Sequence, residues 1–95
     1  MHARVAVYTI TSGTVEEVAA AVEAGLLPMF REQPGFLAYR LVAAQGDFCV
    51  SISRWETHEQ ADTAARVAAE WVAEHLQRRV TLESEHLGEV VLSSD

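Results

Sequence analysis

Two strand-like segments held between helix signals constrain this chain more than any other feature. Phe36 to Val42 and Phe48 to Trp55 are rich in β-branched and aromatic residues. Pro34-Gly35 stops whatever precedes the first, and Glu56-Thr57 begins a helix after the second. The loop Ala43-Ala44-Gln45-Gly46-Asp47 is five residues long, so a hairpin is the economical connection. One face of the second segment carries Phe48, Val50, Ile52 and Arg54. The other carries Cys49, Ser51, Ser53 and Trp55, where small residues leave room for a ligand or for a bulky neighbour such as a helix.

A helical pattern lies on each side of this hairpin. Thr14 with Glu17 three residues on is a capping box, and Val15, Val18, Ala19, Val22 and Leu26 recur at helical spacing. Gly25 and Pro28 predict a kink or short break near residues 24–28. Thr57 with Gln60 is a second capping box. The helix it opens runs Ala61, Ala64, Ala65, Ala68, Trp71, Val72, His75 and Leu76 along one side, alanine-rich early and bulky late. A strand stands at each end of the chain. Arg4 to Ile10 has two largely apolar faces, and Val80 to Leu92 predicts a strand interrupted near His86–Gly88.

The order is β-α-β-β-α-β, which makes residues 1–95 one α+β domain of the ferredoxin-like kind, two helices on one face of an antiparallel sheet. The helices leave the other sheet face bare, and that face is apolar too. A chain of this length buries only about 60–65% of its unfolded surface, yet 49% of its residues are hydrophobic. A second copy covering the bare face, giving a homodimer through the sheets, reconciles the two.

The net charge of −7 and seven scattered arginines with no lysine form no basic patch, which argues against nucleic acid and anionic membranes as partners. No run approaches a membrane span, and no processing site is evident at the N-terminus. Cys49 stands alone, which suits a reducing cytoplasm. The four histidines do not form a metal-binding spacing, and there is no nucleophile elbow, phosphate loop or zinc signature.

Pro34-Gly35-Phe36-Leu37-Ala38-Tyr39-Arg40-Leu41 resembles the PGF-x-x-Y segment of the antibiotic biosynthesis monooxygenase superfamily. The stretch from Phe48 to Ala61, with Trp55-Glu56 at its centre, resembles that superfamily's strand ending in W-E-x-x-E-A. The resemblance covers nearly the whole chain in order and spacing. It implies a dimeric α/β barrel with a pocket between sheet and helices in each subunit. It also implies oxygenation of a phenolic, quinol or polyketide-like substrate without metal or flavin, so no cofactor is expected. Haem-degrading relatives use an asparagine on the first strand and a more distant tryptophan–histidine pair. This chain has no asparagine, so haem degradation does not carry over, and haem binding at His75 stays open.

Cofactor-free oxygenation needs an apolar pocket and groups that handle a phenolic proton or stabilise the anion. His75, Tyr39 and Arg40 are the catalytic candidates by type. Trp71, Tyr8, Trp55, Arg54 and His86 are the candidates for binding a small apolar or aromatic ligand. Each also has a structural reading. Trp71 and His75 stand four apart on one helix face, as an aromatic wall beside a base or as core and helix end. Buried tyrosines hydrogen-bond across sheets, Trp55 anchors a strand to a helix, and Arg40 and Arg54 can pair with Glu83 or Glu85 across a dimer. A non-catalytic binding or structural protein on the same scaffold, or a related isomerase or cyclase, fits the same residues.

Overall fold

The computed structural model describes residues 1–95. The elements are β1 (His2–Ile10), α1 (Val15–Ala24), α2 (Leu26–Glu32), β2 (Phe36–Ala43), β3 (Phe48–Trp55), α3 (His58–His75) and β4 (Val80–Glu89). The strands form one antiparallel sheet in the order β2-β3-β1-β4. This is the ferredoxin-like α+β arrangement, with the helices on one face. No helix is long and apolar enough to cross a membrane.

Both capping boxes form. Thr14 Oγ1 accepts from the Glu17 amide and Glu17 returns the bond to the Thr14 amide. Thr57 and Gln60 do the same at α3. Each box satisfies amides that the first helical turn leaves unpaired. The first helical segment breaks at Gly25, one residue before α2. A Cβ at Gly25 would lie 2.6 Å from Trp71 Nε1, so the missing side chain lets α3 come close. Pro28 does not make the break: it is the third residue of α2, where a helix has no use for the amide proton that proline lacks.

Strand alternation sorts the side chains. On the helix face of the sheet, Arg4, Ala6 and Tyr8 of β1 and Cys49, Ser51, Ser53 and Trp55 of β3 are all buried. A register shift between Phe36 and Ala38 puts a bulge at Leu37. Phe36 and Tyr39 therefore both reach the helix layer, where Phe30 packs edge-on against Tyr39 at 5.7 Å and Trp55 at 5.2 Å.

The expected interruption of β4 near His86–Gly88 is absent. Gly88 stays paired with Ala3, and a Cβ there would meet nothing within 4 Å. The irregularity lies earlier: Val7 pairs with Ser84 and Tyr8 with Leu82, leaving Glu83 unpaired. That extra residue turns Glu85 and Leu87 toward the helix face and His86 away from it. The strand also ends at Glu89, short of the expected Leu92. Beyond it the Val90 amide bonds the Met1 carbonyl at 2.9 Å, and Asp95 reaches Arg54 at 3.2 Å.

The second sheet face has no cover in the single chain. Val42 and Phe48 on it are 43% and 45% exposed, and Val91 and Leu92 of the tail are each 90% exposed.

Candidate active site

The cavity between sheet and helices is lined from both layers. Tyr8, Tyr39, Cys49 and Ser51 rise from the sheet, with Leu41 and Val80 at the sides. Val18, Val22 and Leu26 come from α1 and α2, and Val72 and Leu76 from α3. It is small as folded, about 20 Å³ in the measure in which one water needs roughly 10–15 Å³. A ring-sized ligand enters only if part of the wall moves. The break at Gly25 stands beside Leu26 in that wall.

Polar groups are few and specifically arranged. Tyr39 Oη and Ser51 Oγ share a hydrogen bond of 2.9 Å. Burial pushes the Tyr39 phenol above its ordinary value of 10.0, while the Ser51 bond and the Arg4 charge pull the other way. Tyr39 is therefore a neutral phenol at neutral pH, able to donate to or accept from a ligand oxygen. Burial also pushes the Cys49 thiol upward, so it lines the cavity as a small protonated group.

Behind Tyr8 lies Arg4, only 1% exposed. Its Nη2 donates to Tyr8 Oη at 3.2 Å, and its Nε donates to Glu85 Oε2 at 2.8 Å. Nη2 is also 2.7 Å from Glu85 Oε2. Ala6, fully buried between Arg4 and Tyr8 on the same strand face, leaves the space across which the long arginine reaches.

The sheet divides the candidates of the sequence reading into separate groups. Tyr8 and Tyr39 line the cavity together. Trp55 is fully buried in the aromatic cluster, its Nε1 donating to Ser53 Oγ at 2.9 Å. Trp71 is buried against Gly25 and stacks on His75 with ring centres 4.9 Å apart. His75 itself is exposed near the end of α3, its Nδ1 3.0 Å from the Trp71 carbonyl oxygen. His75 is the last residue of α3, and Leu76 at the C-cap is the one that joins the core. Arg40 and Arg54 lie on the far face of the sheet around Ile52, and His86 lies there opposite Val5. Neither arginine pairs with Glu83 or Glu85 within the chain, since Glu85 is held by Arg4 and Arg54 by Asp95. No group of three histidine, cysteine, aspartate or glutamate side chains comes together.

Arg4 and Ser51 were not among the candidates. The signal for Arg4 was present: it shares the parity of Ala6 and Tyr8 on β1, so a charge had to enter the core with them.

A family model described as antibiotic biosynthesis monooxygenase matches residues 1–78. No curated protein matches the chain. Among solved structures, SnoaB from Streptomyces nogalater, a cofactor-independent oxygenase, aligns at 22% identity with a TM-score of 0.75, covering 98% of this chain and 95% of its own. A MhuD variant with two manganese protoporphyrin IX bound per active site aligns at 20% identity and TM-score 0.73, covering 100% and 99%. A putative antibiotic biosynthesis monooxygenase from Chloroflexus aurantiacus aligns at 15% identity and TM-score 0.71, covering 99% and 96%. At these identities the likeness is one of fold.

Proposed function

The chain belongs to the antibiotic biosynthesis monooxygenase family, and on that premise we propose that it is a small monooxygenase acting on an apolar phenolic or quinol-like molecule in the sheet–helix cavity. The observation that carries this reading is the cavity's make-up: an apolar wall whose hydroxyls, Tyr8, Tyr39 and Ser51, stand on the sheet. A phenolic substrate reacts with O₂ through its electron-rich anion. Such a substrate needs a dry site that holds its ring and a hydrogen-bonding group at its oxygen. Tyr39, neutral and bonded to Ser51, fits the role of a proton-handling group. The likeness to SnoaB in fold supports the reaction class.

His75, Arg40, Arg54 and His86 have a weaker claim on this chemistry, because they stand outside the cavity. A role for Arg40, Arg54 or His86 requires a second subunit on the bare sheet face. We take that subunit to be another copy of this chain, supported by the apolar character of Val42, Val50 and Phe48 on that face. The lone Cys49 fits a reducing cytoplasm.

The small cavity favours a second reading, a non-catalytic protein whose pocket is filled by its own side chains. Oxygen uptake by purified, chelator-treated protein with a panel of quinols and anthrone-like phenols separates the two. The oxygenase reading expects uptake above the protein-free rate with at least one ring system. Absence of uptake across the panel leaves the non-catalytic reading. Product formation under strict anaerobiosis points instead to an isomerase or cyclase.

A further inference from the structure

Arg4 is a charge placed in the core, and the cavity chemistry above makes no use of it. An arginine side chain carries only donors. In the contact between Arg4 Nη2 and Tyr8 Oη, the tyrosine oxygen must therefore accept. The Tyr8 proton is then committed away from Arg4, and that hydroxyl makes no second bond within the protein. Tyr8 lines the cavity. Glu85 fixes the direction of the guanidinium by taking Nε and Nη2 on one oxygen. Arg4 Nη1 is buried without a hydrogen-bond partner, so Glu85 and Tyr8 are the groups that hold the guanidinium.

We propose that Arg4 is a positioning residue that presents Tyr8 as a hydrogen-bond donor to an acceptor oxygen, a phenolate or carbonyl, on the ligand in the cavity. This rests on the reading of the cavity as a ligand site. It adds an orientation and a preference: the ligand's oxygen lies toward β1, and an anionic or strongly accepting oxygen binds better than a bare ring. The adjacent cation strengthens the donor, because a hydroxyl that accepts from a charged group becomes a better donor in turn. Tyr39 with Ser51 then stands on the neighbouring strand pair as the second hydroxyl group of the cavity.

Binding of two probes of like shape tests this without any turnover. The probes are 4-nitrophenol, at a pH where it is ionised, and nitrobenzene, which shares the nitro group and lacks the phenolic oxygen. Wild-type protein should bind the phenolate roughly tenfold or more tightly, the difference made by one hydrogen bond to a charged group. Tyr8→Phe, which keeps the ring, should abolish that preference. Arg4→Met should abolish it equally, and the double variant should lose nothing more. If Arg4→Met does not fold, Arg4→Lys replaces it. Lysine cannot fork to Glu85 and Tyr8 at once, so the preference should fall there and fall no further when Tyr8→Phe is added. Retention of the preference in Tyr8→Phe overturns the proposal. So do additive losses at positions 4 and 8, equal affinity of wild type for both probes, or binding of neither. Oxygen uptake is not read here, so failure of this proposal and failure of the oxygenase reading are seen in different experiments.

Discussion

Arg4 and Glu85 are unequal partners in one ion pair. The arginine side chain is 1% exposed and the glutamate 30%. Removing Glu85 leaves a buried cation without its counter-ion, whereas removing Arg4 leaves a carboxylate that water can reach. Glu85→Ala should therefore destabilise the protein more than Arg4→Met, toward about 3–5 kcal/mol for an orphaned buried charge; denaturant unfolding of the two variants checks the order. Tyr39 carries a pH dependence of its own. Folding raises its phenol above the ordinary 10.0, so the folded chain holds that proton more tightly than the unfolded one. Its contribution is complete below the ordinary value and is lost as pH climbs through the raised folded value. Melting temperature should fall less steeply on the alkaline side in Tyr39→Phe than in wild type. At this scale the residue types were legible and their companions were not. Tyr8 and Tyr39 stood out as aromatic hydroxyls, but the Ser51 and Arg4 bonds depend on strand register, which is fixed by pairing and not by composition.

The Pro34-Gly35 turn and the α3 cap form one unit. Gly35 has φ of +79° and lies directly under the Gln60 side chain that caps α3. Its carbonyl oxygen also accepts from the Glu56 amide at 3.0 Å. Gly35→Ala should thus strain the backbone and push Gln60 out of the capping box together, at a cost of about 2–3 kcal/mol as αL strain and cap loss add. Thr57→Ala, which removes only the cap, should cost about 1 kcal/mol, and thermal unfolding of the pair compares them. The elements themselves were readable because each carries its own signal. Both capping boxes, the hairpin and the helix break near Gly25 stand where the sequence pattern places them. The bulges were not readable. Leu37 and Glu83 are ordinary strand residues, and their unpairing comes from fitting neighbouring strands. Gly88, which carries the usual signal for an interruption, is simply paired. The bulge at Leu37 has a consequence for the site, since it is what lets Phe36 and Tyr39 share the helix face.

The whole molecule is two layers with one side uncovered. Val42 and Phe48 stand exposed on the open sheet face, beside half-buried Val50 and Ile52. A homodimer through this face predicts a sedimenting mass near twice the chain's 10.4 kDa, and Val50→Arg should shift it to the single-chain value while preserving helix content. The fold class was legible as a whole because element order and periodicity are local properties. The candidate site was legible in its residue types and not in their grouping, because the sheet sends Arg40, Arg54 and His86 to the face away from Tyr8 and Tyr39. Family membership supports the proposed reaction class, and the cavity is its proposed location. Oxygen uptake by wild-type protein and by Leu41→Trp, with the most active phenol of the panel, tests both together. Leu41 lines the cavity, so an indole there fills it. The account predicts substrate-dependent oxygen consumption by the wild type that is abolished in a folded Leu41→Trp variant. Wild-type consumption no faster than the protein-free blank, or equal rates in both proteins, would contradict it.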